Sequence, residues 1–242
     1  MKTMRKDNRT DNDTRPLKLT PDYVSNIPGS VMVALGRTRV LCSATIEYKV
    51  PHFLKEEKKG WINAEYSMLP GSTGDRRVPR ERNRINGRNM EIQRFISRAL
   101  RNTFDLKEIE GITIHIDCDV IEADGSTRCA SLNGAMVVLR KALDYLVFEN
   151  KIAYLPKLEY IAAVSVGIRK DRILTDLTYE EDASADADIN IISSESGQII
   201  EVSAFAEENP VPRDRFDQAM DLGIEKNREI IELLKKQSGD LV

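Results

Sequence analysis

Residues 112–135 read ITIHIDCDVIEADGSTRCASLNGA. In the opening part, Ile112, Ile114, Ile116, Cys118 and Val120 alternate with Thr113, His115, Asp117 and Asp119. A period of two places one face of a strand in a core and the other in a polar setting. Glu122–Arg128 forms a short loop, and an Ala/Leu/Val-rich helix follows from about Cys129 to Phe148. The segment is therefore a strand, a tight polar loop and a buried helix.

The flanking sequence builds on this unit. Upstream, Ser30–Ala34 and Thr38–Ile46 read as strands joined by a turn at Leu35-Gly36-Arg37, and Gly60–Tyr66 continues the sheet. Pro70 to Gly87 is rich in Gly, Pro and Arg and breaks regular structure. Ile92, Phe95, Ile96, Ala99 and Leu100 then follow helical spacing. Downstream, strands are expected at Tyr160–Arg169, Arg172–Thr178, Ala187–Ile192 and Ile199–Ala204. A long amphipathic helix follows Pro210–Arg213 and ends near Gln237. Strands in antiparallel-looking groups, each followed by helices, indicate an α+β fold with mixed or antiparallel sheets packed against helices. No linker divides the chain, so residues 1–242 are expected to form a single domain.

Of the 242 residues, 41% are hydrophobic, enough for a sizeable core. Lys and Arg number 36 against 39 Asp and Glu, so net charge alone does not indicate a polyanion partner. Three cysteines without CxxC spacing argue against a disulfide framework or a zinc site, and Cys42 and Cys118 fall in apolar runs. The polar Met1–Arg15 has no apolar leader and is expected to be flexible at its tip. No run suits a membrane span, so a reducing, cytoplasmic setting is expected.

Charge is nevertheless concentrated locally. Arg76, Arg77, Arg80, Arg82, Arg84, Arg88, Arg94, Arg98 and Arg101 fall in one stretch with two acids, Glu81 and Glu91. Guanidinium forks match phosphate oxygens. The five from Arg76 to Arg84 lie in the turn-rich segment and suit an RNA backbone, with sequence-tolerant, salt-sensitive contacts. A solvated arginine surface, or arginines bridging acids across a subunit interface, is the alternative.

The loop Asp124-Gly125-Ser126-Thr127-Arg128 opens a helix, whose first N–H groups and positive dipole end suit an anion such as free phosphate. Ser126 and Thr127 add hydroxyls and Arg128 a charge. Ordinary capping by Ser, Thr or Asp is the alternative. A cation at a helix start opposes the dipole, so Arg128 favours the anion. A second cluster is acidic: Glu180-Glu181-Asp182, then Asp186, Asp188 and Asn190 alternating with Ala187, Ile189 and Ile191. On one strand face, with Asp182 across the preceding turn, these groups suit Mg²⁺ or a carboxyl raised to act as general acid. A solvated acidic loop is the bland reading. His52 and His115 have no Ser or Cys neighbour that makes a triad.

Several runs together resemble the ribonuclease PH family of phosphorolytic exoribonucleases. They are RKDNR (5–9) with TRP (14–16), GSVMVALGRTRVLCSATIE (29–47), GWINAEYSMLPGST (60–73), NGRNMEIQRFISRALR (86–101), IDCDVIEADGSTRCASLNGA (116–135) and DLTYEEDASADADIN (176–190). The resemblance implies the fold of that family and a reaction in which inorganic phosphate attacks the last 3′ phosphodiester of RNA. By motif, Arg88, Ser126, Thr127 and Arg128 would bind phosphate, and Asp182 and Asp188 would be the catalytic pair and hold Mg²⁺. It also implies a homo-hexameric ring, a trimer of dimers, that trims tRNA precursors and acts in tRNA and rRNA processing. A non-catalytic RNA-binding subunit of an exosome-like ring is the competing reading, disfavoured by the presence of Arg88, Arg128, Asp182 and Asp188. Asn8 and Ser126 stand where the family pattern has glycine, Asn89 and Met90 replace Thr and Gln, and Gly71 replaces an arginine.

Overall fold

A computed structural model describes residues 5–54, 56–74, 77, 87–206 and 210–239. The decisive strand is β5 (Thr113–Glu122), and its alternation is real: Ile114, Ile116, Cys118 and Val120 are buried. It lies in a five-stranded sheet with β1 (Leu17–Pro21), β2 (Gly29–Leu35), β3 (Thr38–Glu47) and β4 (Trp61–Met68), in the order β1-β2-β3-β5-β4. Neighbours pair antiparallel except β4 and β5, which are parallel. That one pair makes the sheet mixed, as the connection from β4 to β5 carries helix α1 (Gly87–Leu100), and a parallel pair needs such a crossover. A second sheet, β7-β6-β8-β9, is antiparallel throughout: β6 (Ile161–Arg169), β7 (Arg172–Thr175), β8 (Ala187–Ser194) and β9 (Ile199–Ala206).

Helix α2 (Thr127–Phe148) joins the two sheets, packing on β2, β3 and β5 and also on β6. It is apolar nearly all round, as a helix enclosed by other elements must be. Gly134 marks its closest approach: a Cβ there would come within 2.5 Å of Cys42 Sγ and Val33 Cγ2. Helix α4 (Arg213–Ser238) covers β6 and β8. One continuous core runs from Val31 on β2 to Leu234 on α4. All three cysteines are buried and free. Among the described residues no helix is long and apolar enough to cross a membrane.

Residues 5–16 do not behave as a solvated arm. Arg5, Arg9 and Arg15 are buried, and they strap the N-terminal segment to the second sheet. Arg15 donates to both oxygens of Asp176, Nε to Oδ2 at 2.8 Å and Nη2 to Oδ1 at 2.6 Å. Its backbone N–H adds a third bond to Oδ2 at 2.7 Å. Burial alone would raise the Asp176 carboxyl, but Arg15 outweighs it and holds Asp176 below the usual range. Arg5 donates to the Thr175 and Asp176 carbonyls at 2.6 and 2.9 Å. Asn8, at φ 66°, makes the turn between Arg5 and Arg9 in the left-handed region, which Asn tolerates better than most residues.

Candidate active site

The loop between β5 and α2 is held on several sides. Thr38 Oγ1 donates to the Gly125 carbonyl at 2.8 Å and accepts from the Asp124 N–H at 3.0 Å. Gly125 is at φ 75°, and a Cβ there would sit 2.3 Å from the Leu177 carbonyl oxygen, so only glycine fits. Ser126 follows at φ 53°, a left-handed conformation that costs an L-residue about 1–2 kcal/mol. Its hydroxyl compensates by bonding Ser165 Oγ at 2.8 Å and donating to the Leu177 carbonyl at 3.1 Å.

That geometry decides between capping and anion binding. Ser126 is the residue before α2, yet its side chain makes no capping bond. The first N–H groups of α2, with no intrahelical acceptor, are thus left by their neighbour for another partner. The Ser126 hydroxyl serves the loop rather than a ligand. Thr127 Oγ1 accepts from the buried Tyr66 hydroxyl at 3.0 Å, which leaves its own proton to donate. Arg128 is more ambiguous than its sequence position suggests. Its Nη1 meets Glu91 Oε1 of α1 at 2.8 Å, so a protein carboxylate already offsets part of its charge at the helix start.

The acidic cluster comes from two elements. Thr178 caps the single-turn helix α3 (Tyr179–Asp182) with a capping box: Glu181 N–H donates to Thr178 Oγ1, and Thr178 N–H donates to Glu181 Oε2 at 2.9 Å. Glu181 faces the buried arginines. Burial opposes its charge, but Arg5, the Thr178 backbone and Arg9 hold its carboxyl down at about 2. The next residue, Asp182, lines the same cavity as Asp188 of β8. On β8, Asp188 is raised to about 6, first by burial and then by the neighbouring Asp182 charge, against the pull of Asn190, Arg128 and Arg88. Asn190 Nδ2 donates to Asp188 Oδ2 at 2.8 Å, and Cys129 Sγ donates to Asn190 Oδ1 at 3.3 Å. Burial pushes the Cys129 thiol well up, so it stays protonated and fixes which way the amide points. Asp188 Oδ1 is buried and accepts no hydrogen bond among the described residues. Asp186 lines the same cavity as Asp188 and also accepts from the Lys170 N–H at 2.5 Å.

Two adjoining cavities of about 820 and 460 Å³ share Arg88, Arg128, Tyr179, Asp182, Asp188 and Asn190. The smaller one reaches the Gly125–Thr127 loop and Arg77; the larger reaches Glu91, Ser203 and Phe205. Arg88, Ser126, Thr127, Arg128, Asp182 and Asp188 therefore all open onto one connected site. Arg77 is exposed on its rim. The other expected RNA-binding arginines, Arg76, Arg80, Arg82 and Arg84, lie outside the described residues. Sequence reading placed Asn190 beside Asp188 but missed the other supports: Cys129 behind that amide, and Arg5, Arg9 and Arg15 behind α3. No group of three or more His, Cys, Asp or Glu suited to a metal ion occurs among the described residues. The orphaned Asp188 oxygen and the Asp182 carboxylate still fit Mg²⁺, which is commonly held by one or two carboxylates together with substrate phosphates.

Comparison with known proteins gives a consistent result. Residues 13–143 match the model for domain 1 of the 3′ exoribonuclease family, and residues 159–226 match domain 2. The chain is 42% identical over 241 residues to ribonuclease PH of Bacillus pumilus, covering 99% of this chain and 100% of the relative. It is 43% identical over 239 residues to ribonuclease PH of Bacillus subtilis, covering 98% of each. Among solved structures, an Archaeoglobus fulgidus exosome with RNA bound to the active site superposes with a TM-score of 0.79 at 20% identity, over 96% of this chain and 93% of that one. Rice Rrp46 superposes with a TM-score of 0.78 at 16% identity, over 97% and 100%. At those identities the structural likeness speaks for the fold.

Proposed function

The chain belongs to the 3′ exoribonuclease family, and on that premise we propose that it is a phosphate-dependent 3′-to-5′ exoribonuclease acting in tRNA processing. The observation that carries the reading is the single site onto which the uncapped start of α2, Arg88, Arg128, Asp182 and Asp188 all open. Phosphorolysis needs two phosphate groups held together against their repulsion. Backbone N–H groups at the α2 start, the Thr127 hydroxyl, Arg128 and Arg88 are the donors for them.

Inorganic phosphate is already anionic near neutral pH, so little activation by a base is required. One of its oxygens forms a bond to the terminal phosphorus, and the bond from that phosphorus to the penultimate 3′ oxygen breaks. A nucleoside diphosphate leaves, and the shortened RNA keeps a 3′ hydroxyl. The departing oxygen takes its proton from Asp188, whose carboxyl near 6 holds one far more readily than an ordinary aspartate. The proton carried by the attacking phosphate restores the balance. Asp182 would hold Mg²⁺, with Asp188 able to join it only once its proton has gone, and the ion would supply charge neutralisation between the two phosphate groups.

The same reading extends to finer points. The substrates are tRNA precursors, in line with relatives named ribonuclease PH. Arg77 and its neighbours Arg76, Arg80, Arg82 and Arg84 guide the RNA 3′ end inward. The chain works as one folded unit, supported by its continuous core, and assembles into a homo-hexameric ring in a reducing cytoplasm. The test is product analysis of a short single-stranded RNA incubated with protein and Mg²⁺, with and without phosphate. Nucleoside diphosphates that form only with phosphate are expected. Monophosphates formed without phosphate would identify a hydrolase, and no product in either case a non-catalytic ring subunit.

A further inference from the structure

Strands β8 and β9 pair so that Asp188 lies opposite Phe205 and Asn190 opposite Ser203. Directly opposed residues of an antiparallel pair project from the same face, with their Cβ atoms about 4.5–5.5 Å apart. The ring of Phe205 therefore stands beside the carboxylate assigned to proton transfer. On the other side of Asp188, strand β6 offers Gly167, and Leu177 packs over it. Among the described residues directly paired with Asp188 in the sheet, the bulky apolar one is thus Phe205 on β9.

Phe205 is 71% exposed, although it lines the same cavity as Arg88, Arg128, Asp182 and Asp188. Tyr179, 59% exposed, is the second aromatic of that cavity. An exposed phenyl ring among carboxylates and guanidinium groups contributes nothing to phosphate chemistry. It offers a flat apolar surface to whatever lies next to the reacting phosphorus, and in an RNA that is a nucleobase. We propose that Phe205 is a stacking platform for the 3′-terminal nucleobase. The charged residues would grip the phosphates while the ring registers the base without reading it. Every base has a π-face, so stacking suits an enzyme that must remove all four nucleotides in turn. This inference rests on the phosphorolytic reading above.

The test uses the full chain and an RNA oligonucleotide ending in 2-aminopurine, without phosphate so that nothing turns over. Stacking on Phe205 is expected to quench the fluorescent base on binding. Phe205→Ala abolishes the quench, and Phe205→Tyr, which keeps a ring, restores it. In steady-state assays Phe205→Ala raises the RNA KM by about ten-fold or more, the scale of one lost base stack, while the phosphate KM stays within about two-fold. A retained quench with an unchanged RNA KM in Phe205→Ala overturns the proposal. So does a shift in oligomeric state on light scattering that accompanies the RNA defect, which would make a second copy of the chain the occupant of this surface. The quench reports on stacking even if the wild-type protein releases no nucleoside diphosphate, so the two readings fail separately.

Discussion

Replacing Glu181 by Gln probes the link between the N-terminal strap and the acidic site. Glu181 lies between the buried Arg5 and Arg9 on one side and the capping box of α3 on the other. Its carboxyl falls from an ordinary 4.5 to about 2 in the folded chain. At about 1.36 kcal/mol per pH unit this corresponds to about 3.4 kcal/mol of stability at pH 7. Solvent reaches part of the side chain, so an expected loss of about 2–3 kcal/mol for Glu181→Gln is more realistic. Because the folded value is depressed, the contribution is fully present above the unfolded value near 4.5 and is lost as pH falls through about 2. At pH 3 the wild-type advantage should shrink to about two fifths of its size at pH 7. Urea unfolding at fixed protein concentration measures this, at pH 7 and again in acid. The same substitution should lower kcat where circular dichroism shows the fold intact, because Asp182 is the next residue on that single helical turn. A variant within about 0.5 kcal/mol of wild type at pH 7, or a gap that widens on acidification, would refute the reasoning.

Asp188→Asn keeps the shape of the side chain and removes the proton donor. It should cut kcat by about 10²–10⁴-fold with RNA affinity nearly unchanged in filter binding; an unaltered kcat would sink the assignment. The loop makes an opposed pair of predictions in phosphate titrations. Gly125→Ala drives a Cβ toward the Leu177 carbonyl and should raise the phosphate KM at least ten-fold. Ser126→Gly relieves left-handed strain of about 1–2 kcal/mol but loses two hydroxyl bonds of about 1 kcal/mol each. Stability should therefore shift by less than about 1 kcal/mol, and the phosphate KM should hold.

The two glycine-to-other departures at Asn8 and Ser126 show how far sequence could be read. Both positions adopt positive φ. A pattern comparison flags the missing glycines, but only coordinates show how the chain accommodates them. Asn8 relies on its intrinsic tolerance, whereas Ser126 has its hydroxyl anchored by Ser165 and Leu177. Neither anchor is near Ser126 in sequence.

The same division runs through the rest of the molecule. The alternation of β5, the apolar spacing of α1 and α2 and the Asp188–Asn190 pair are local patterns, so residue order reveals them. Helix α3 was missed although Thr178 and Glu181 spell a capping box, because one turn is too short for helical periodicity to show. Strand β1 was missed because its five residues form a half-exposed edge. The parallel pairing of β4 with β5 depends on a crossover, which alternation within a strand does not encode. The roles of Arg5, Arg9 and Arg15 were not legible. A run of charges near a terminus ordinarily means solvent, and only their partners say otherwise. Those partners lie 161 or more residues away, Asp176 just before the helix that presents Asp182 and Glu181 within it. The phosphate and acid clusters that line one cavity were legible because each is continuous in sequence, whereas Phe205 carries no such pattern. The groups that hold the acidic cluster in place were hidden because a buried ion pair becomes favourable only once the fold has removed water from both charges.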